Sequence, residues 1–328
     1  MKSIKIVSIA VSLFAATIVC SAQTVQDVAA ALATGIELRA TAISPTSALS
    51  DVDAAIAAFE NCIELAEAVG DDAFEMQMTA ESVLPELYFQ RVARIPTNDF
   101  PAMLAALHTA VAVAEKFNDN RIRQNAERQI PQLYFAKGAE AFQARNYDEA
   151  IPLLEQAVAR NPAFTQAYFV LGATFEAMQN EEKMIENYML AIETGSRPGG
   201  DARNAQSARN QLRNHYFNAG LAARRAQRVD EAIPLFLKAV EVDNSHFDSL
   251  YALASSYNSL RRWDDAIEIS ERALQIENIR TCPFHFELGT AFAGRNDNVR
   301  ACESFRRVTE AAFLESAQFQ ITNVLRCR

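Results

Sequence analysis

The chain carries a pattern of apolar and polar positions that recurs along its length. The string LPELYFQ spans residues 84–90, the similar IPQLYFA spans 130–136, and a looser copy, LRNHYFN, spans 212–218. The last two copies continue through a polar turn into a second apolar helix pattern, which begins at NYDEAI in one and at VDEAI in the other. Each of these two segments therefore predicts a pair of helices joined by a short turn.

Composition agrees with a helical, well-packed chain. Half of the 328 residues are apolar, only ten are glycine, and alanine, leucine, glutamate and glutamine are abundant. These residues favour helix, and this much apolar side chain can form a large core.

Small residues stand at fixed places in the predicted pairs. We expect them where two helices cross, because a larger side chain would force the helices apart. On the first helices they are Gly138, Gly172, Gly220, Ala254 and Gly289, and on the second helices Ala150, Ala232, Ala266 and Ala301. With the aromatic residues between them, this pattern resembles the tetratricopeptide repeat, a helix pair of about 34 residues. The resemblance is strong over residues 131–313 and weaker over 24–130.

The resemblance implies an all-α fold, a right-handed superhelical α-solenoid of antiparallel helix pairs whose first helices line a concave groove. We expect degenerate helical hairpins over residues 23–130, five repeat units over 131–314 and a C-terminal capping helix over 315–328. Solenoids need such a cap because the last repeat has no neighbour to cover its apolar side.

Some units are longer than the family repeat. Equivalent positions of successive second helices lie 34 or 35 residues apart in three cases and 47 or 48 in three others. The added length precedes the first helix, and we expect it to extend that helix, as near 201–227. Pro85 and Pro131 fall inside two such extended helices, where the missing amide and the ring clash predict a kink.

The first residues have the features of a secretory signal peptide over 1–22. Two lysines precede an apolar run from Ile6 to Cys20, and small residues follow it. Acylation of Cys20 and an uncleaved membrane anchor are the alternatives. The prediction is an exported protein of the bacterial periplasm, or one that is secreted or associated with the outer membrane, with no transmembrane segment after cleavage.

Charge and cysteine content limit the classes of molecule that we expect the protein to bind. Without the two N-terminal lysines, 29 basic residues face 41 acidic ones, which disfavours non-specific binding to nucleic acid. Cys62, Cys282, Cys302 and Cys327 show no metal-binding spacing, so no metal or other cofactor is predicted. Free buried cysteines are the ordinary state of such residues, and Cys302 with Cys327 is the disulfide to test first.

Two features of the first helices are candidates for binding a protein or peptide partner. One aromatic residue recurs at the same place of six units, namely Phe89, Phe135, Phe169, Phe217, Tyr251 and Phe286. The other feature is basic, because seven arginines and one acid occupy residues 197–228. On one helical face of this region we expect a site for an acidic segment, formed by Asn214, Phe217, Asn218, Leu221, Arg224 and Arg225. The alternatives are aromatic packing between repeats and a solvated arginine surface.

No catalytic pattern accompanies these features. The four histidines are scattered, and no metalloprotease, nucleophile-elbow or phosphate-loop motif occurs. The lysine and asparagine positions of the family's terminal-carboxylate groove hold Phe135, Ala139, Phe169 and Val170 instead. We therefore predict a non-enzymatic binding scaffold of the cell envelope. The alternatives are a structural subunit of an envelope or outer-membrane assembly that uses its convex or end surfaces, and a carbohydrate-binding component or enzyme. The sequence does not fix the oligomeric state.

Overall fold

The computed structural model describes residues 23–327, and the segment predicted as a signal peptide lies outside this range. The regular structure of residues 23–327 is helical throughout, which confirms the all-α prediction. None of the helices in that range is both long enough and apolar enough to cross a bilayer. The chain divides into two compact units, which meet in sequence between Ile130 and Pro131.

The first unit contains two helix pairs and the start of a longer helix. These are α1 (Val25–Ala42), α2 (Leu49–Val69), α3 (Phe74–Val92), α4 (Phe100–Lys116) and the first turns of α5 (Asn120–Gln143). A short 3₁₀ turn, Asp71–Ala73, precedes α3. The core of this unit forms around Phe59 and Leu87, neither of which is exposed to solvent.

The second unit contains five helix pairs and a terminal helix. After the second half of α5 come α6 (Tyr147–Arg160), α7 (Thr165–Ala177), α8 (Glu181–Gly195), α9 (Ala202–Arg225), α10 (Val229–Val242), α11 (Phe247–Ser259), α12 (Trp263–Leu274), α13 (Cys282–Gly294), α14 (Asn298–Arg306) and α15 (Ala311–Phe319). Each helix from α7 to α14 packs against the next along the chain, as expected of stacked hairpins.

The small residues lie where helices approach each other, as predicted, and an aromatic ring fills the space. A methyl carbon at Gly172 would lie 2.5 Å from Cδ1 of Tyr188, and one at Gly220 would lie 2.6 Å from Cε1 of Phe236. Both rings are on the second helix of the same pair and are almost fully buried. The glycine therefore makes room for a large side chain that joins the two helices of a repeat.

A common turn closes the helix pairs. The second residue after the end of α4, α5, α7, α9, α11 and α13 adopts a left-handed conformation, and the next amide bonds back to a carbonyl five residues earlier, as from Asn146 N to Ala141 O at 2.8 Å. Glycine is usual at this place, but here the residues are Asn118, Arg145, Gln179, Gln227, Arg261 and Asn296. The recurring hydrogen bond offsets the strain of a side chain in this conformation.

The extended helices occur, and the prolines lie inside them. Both α5 and α9 have 24 residues, and α9 corresponds to the extension predicted near 201–227. Pro85 lies within α3 and Pro131 within α5. Both helices continue past the proline, and the kink stays a prediction.

The chain end differs from its prediction. The capping helix expected over 315–328 begins earlier, at Ala311, and gives way to a π-helical turn, Gln320–Val324. Cys327 forms a disulfide with Cys302 of α14, so the chain end is tied to the last repeat. Cys62 and Cys282 are free and buried. The pair chosen for testing is therefore the one that forms, and the free state holds for the other two cysteines.

Candidate functional site

The aromatic residues predicted on the first helices of the second unit are all half-buried, and each ring contacts another ring. Phe135 lies 5.0 Å from Phe164, and Phe286 lies 5.6 Å from Phe305, measured between ring centroids. The same holds for Phe169, Phe217 and Tyr251. These contacts agree with the alternative in which the aromatic rings pack inside the stack of repeats. Only the part of each ring that stays exposed is open to a partner.

The arginine-rich region is less basic in the structure than in the sequence. Arg213 forms an ion pair with Asp243, at 2.8 Å from Nη1 to Oδ2, and the two side chains are only 15% and 16% exposed. Burial raises the pKa of the Asp243 carboxyl, but hydrogen bonds from Arg213 and Ser245 outweigh it, so the net pKa is below the ordinary value. The ion pair of Arg213 therefore connects α9 to the C-terminal end of α10.

Two more arginines of this region have carboxylate partners nearby in sequence. Arg197 pairs with Glu193 at 2.6 Å, and Arg228 pairs with Glu231 at 2.8 Å. Arg224 and Arg225, in contrast, have no ion pair among the described residues. Arg203 and Arg209 also form none, but only Arg224 and Arg225 belong to the face predicted from the sequence.

One face of α9 is rich in hydrogen-bond donors. Asn214, Asn218 and Arg225 are exposed along it, and Leu221 is half-buried. Arg213 Nη2 donates to the amide oxygen of Asn214 at 3.0 Å, which leaves the amide NH₂ of Asn214 available. Because α9 contains no acidic residue, no carboxylate of this helix competes for these donors.

Arg224 lies at the edge of a buried polar cluster that spans three successive first helices. Glu287 of α13 is 5% exposed and accepts a hydrogen bond from Nδ2 of Asn258 on α11 at 2.6 Å. Burial raises the pKa of the Glu287 carboxyl, and Asn258, Arg224 and Tyr251 act in the opposite direction. The positive charge of Arg224 therefore acts on this carboxyl, and Arg224 itself is half-buried.

Neither Asn258 nor Glu287 was predicted as part of the site. Both residues lie on first helices. Asn258 is on α11, seven residues after Tyr251, and Glu287 is on α13, directly after Phe286. A charged residue in an otherwise apolar stretch, as Glu287 is in CPFHFELG, is the signal that could have indicated this site. The Oδ1 atom of Asn258 is buried and has no hydrogen-bond donor among the residues described.

His246 and His215 make contacts that are typical of structural residues. His246 caps α11 by accepting the amide hydrogen of Ser249 at 3.3 Å, and burial lowers its pKa. His215 lies 3.1 Å from Glu181 and rests against the ring of Tyr216. Within residues 23–327, no group of three His, Cys, Asp or Glu side chains is placed to hold a metal ion.

Comparisons with known proteins support the repeat assignment. The family model described as Tetratricopeptide repeat matches residues 135–182 and 217–279. No curated protein matches the chain.

Solved structures show low similarity. The MamA protein is 18% identical, with 60% of this chain and 96% of MamA covered and a TM-score of 0.30. YrrB, a TPR protein with an unusual peptide-binding site, is 12% identical over 58% of this chain and 89% of its own, with a TM-score of 0.29. PilF of Pseudomonas aeruginosa is 16% identical over 61% and 86%, with a TM-score of 0.29.

The family assignment rests on two findings. The family model matches within four of the five helix pairs of the second unit, and close-packed glycines lie at Gly138, Gly172 and Gly220 in three of them. Residues 135–182 and 217–279 match the tetratricopeptide repeat family, and the second unit has the helix pairs of that repeat.

Proposed function

We propose that this protein is a non-enzymatic scaffold that binds an acidic segment of a partner protein on the exposed face of α9. The observation that carries the proposal is the chemistry of that face. Two arginines that form no ion pair among the described residues and two side-chain amides lie on a helix that has no acidic residue of its own. Arginine and amide donors fit carboxylates and main-chain carbonyls, which are the acceptors of an acidic peptide.

The half-buried position of Arg224 adds specificity. Its guanidinium interacts with Tyr251 and Glu287 from the two following repeats, so its surroundings are partly shielded from water. A carboxylate that binds there would form a stronger hydrogen bond than one at the more exposed Arg225. We therefore assign Arg224 as the anchor and Arg225, Asn214 and Asn218 as contacts along the same peptide.

We further propose that the partner is met in the periplasm. The signal-peptide features of residues 1–22 support this, and so does the disulfide between Cys302 and Cys327, because disulfides persist mainly in oxidising compartments.

The test is recovery of partners from an envelope fraction by wild-type protein and by the variant Arg224→Glu/Arg225→Glu. We expect the variant to lose one partner, with an affinity at least about tenfold weaker, because two charge-assisted contacts become repulsive. Arg261→Glu/Arg272→Glu is the control, since both residues are exposed arginines of the second unit that lie off this face.

Three results are informative. Loss of the partner in both variants would show an effect of net charge alone. An unchanged set of partners would favour the structural-subunit alternative, in which convex or end surfaces bind. Recovery of no partner by the wild type would favour the carbohydrate-binding or enzymatic alternative.

A further inference from the structure

The helix that follows the last repeat, α15, carries an aromatic ring that lies on two of the first helices. Phe313 lies 5.4 Å from Phe286 of α13 and 6.1 Å from Tyr251 of α11, measured between ring centroids. Tyr251 and Phe286 hold the aromatic place that the sequence indicates as a candidate for partner binding. In the last two repeats, a ring from outside the repeats therefore contacts that place.

An ion pair holds the start of α15. Nε of Arg280 donates to both carboxylate oxygens of Glu310, at 3.0 and 2.9 Å, and Nη2 donates to Oε2. These hydrogen bonds lower the pKa of the Glu310 carboxyl. Arg280 lies in the connection between α12 and α13, and its guanidinium carbon is 5.4 Å from the ring centre of Phe247. The ring restricts the orientation of the guanidinium, which presents its donors to a carboxylate.

The contacts of α15 are those of a peptide on a surface rather than of a core helix. Ala317 is its one fully buried residue, Phe313 and Leu314 are half-buried, and the rest of α15 is exposed. The amide of Glu310 donates to Sγ of Cys282 at 3.3 Å, a main-chain contact that any peptide could make. The ion pair and the ring contacts therefore come from two side chains three residues apart, Glu310 and Phe313.

We propose that Arg280, Tyr251 and Phe286 form a binding surface, the α15 surface, for a helical segment of a partner protein in which a glutamate precedes an aromatic residue by three positions. Residues at this spacing share one face of a helix. The chain's own segment from Glu310 to Phe313 has this spacing and lies on the surface, which shows that such a segment fits. An arginine fork for the carboxylate and two rings for the aromatic side chain select both residues. In this arrangement α15 is a built-in competitor of the partner.

Both ends of α15 are held on the last repeat. The helix follows α14 after a short connection, and beyond it Cys327 forms the disulfide with Cys302 of α14. A tethered segment has an effective concentration in the mM range, so a free peptide competes with it poorly. The test therefore needs a full-length variant whose own segment binds weakly. Phe313→Ser/Cys327→Ser removes the ring contact and one tether and leaves the α15 surface unchanged.

The probe is a fluorescein-labelled peptide of residues 309–322, and fluorescence polarisation measures its binding. We expect the Phe313→Ser/Cys327→Ser variant to bind the peptide at least about tenfold more tightly than the oxidised wild type, whose own α15 covers the surface. A second variant, Glu310→Gln/Cys327→Ser, weakens the tethered segment through its ion pair instead and should also bind the peptide more tightly than the wild type. Thermal unfolding of both variants checks that the repeats stay folded.

Substitutions in the peptide test the spacing without changing the protein. Phe313→Ser should weaken binding about tenfold, because the ring contacts are lost. Glu310→Gln should weaken it several-fold, because an ion pair at this exposure contributes little. The matched controls are Phe319→Ser and Glu315→Gln, which change an exposed phenylalanine and an exposed glutamate of the same peptide. Both controls should bind as the unchanged peptide does.

A substitution in the protein tests the ion pair from the other side. Arg280→Gln, added to the Phe313→Ser/Cys327→Ser variant, should weaken binding to about the level of the Glu310→Gln peptide. The two changes together should weaken it little further, because they remove the same contact. Arg272→Gln is the control, since it removes an exposed arginine of α12 and keeps Arg280.

Three results would overturn the proposal. These are no binding of the peptide to folded variants, equal binding to wild type and variants, and equal loss with the Phe313→Ser and Phe319→Ser peptides. The proposal does not rest on the proposed function, because the α15 surface includes neither Arg224 nor Arg225. Adding Arg224→Gln/Arg225→Gln to the double variant should leave peptide binding within about twofold. Loss of binding there would place the peptide on the α9 face instead, so failure of one site is distinguishable from failure of the other.

Discussion

The most unusual residue of the second unit is Glu287, a carboxylic acid that is 95% buried on a first helix. Its hydrogen bond from Asn258 satisfies one oxygen, and Arg224 of α9 and Tyr251 of α11 are the charged and titratable groups that face it. Burial still dominates and raises its pKa. A raised pKa means that the folded protein holds this proton more tightly than the unfolded chain does.

This gives a prediction for stability against pH. The contribution of Glu287 is fully present below the ordinary glutamate pKa of about 4.3 and is lost as the pH rises through the folded pKa. Glu287→Gln should remove this loss and be more stable than the wild type at neutral pH, because glutamine accepts the same hydrogen bond without a buried charge. Urea unfolding at several pH values measures the difference.

The matched control is Glu186→Gln, which removes an exposed carboxylate that has no ion pair among the described residues. Its unfolding free energy should follow the wild-type pH profile. If Glu287→Gln also follows that profile, then the carboxyl of Glu287 is not held in a protonated state by the fold.

At the scale of helices, the sequence predicts what depends on local pattern. The helix pairs, the close approach at Gly172 and Gly220 and the extension of α9 all follow from residues within one repeat. The ion pair of Arg213 with Asp243 does not, because the partners are 30 residues apart and meet only after α9 packs on α10. For this reason the sequence overstates the basic charge of the region.

A proline in the sequence does not by itself predict where a helix ends. Pro152 and Pro234 lie inside α6 and α10, each near the start of the helix, and neither was singled out from the sequence. Each is the sixth residue of its helix, beyond the four amides that lack a helical partner in any case, so each removes one internal hydrogen bond and the helix still continues. The tightness of the stack thus does not depend on the absence of proline.

Little of the terminal helix is fully buried, although the ring of Phe313 lies 5.4 Å from that of Phe286. Ala317 is the only buried residue of α15, and the described residues of the π-helical turn that follows include none that is buried. Phe319 and Val324 are both more than half exposed. The disulfide between Cys302 and Cys327 closes a loop of 25 residues around this segment.

We therefore predict that Cys327→Ser releases α15 from the last repeat. The cost should be about 3 kcal/mol, the usual value for a loop of this length. Amide hydrogen exchange should show lost protection over residues 311–325, while α12 stays protected. A reductant should reproduce this effect in the wild type and add nothing to the variant. Unchanged exchange would show that noncovalent packing holds the cap.

At the scale of the whole chain, charge and the proposed binding residues are distributed unevenly between the two units. Ten acidic residues and no lysine or arginine occur between Asp51 and Glu86 of the first unit, whereas the unpaired arginines of α9 belong to the second. The α9 face, the α15 surface and the disulfide are all in the second unit. Because repeat proteins are stabilised mainly by contacts between neighbouring repeats, a run of five pairs with its own cap should be stable alone.

The corresponding prediction concerns a fragment of residues 120–328, which keeps α5 whole. We expect a cooperative thermal transition and an affinity for the captured acidic partner within about twofold of the full-length value, since every proposed contact is retained. Residues 23–130 alone should not bind that partner. Calorimetry and polarisation measure the two properties separately. A fragment that folds but has lost binding would mean that the first unit supplies part of the site, and the assignment of Arg224 as the anchor would then need a partner residue from residues 23–119.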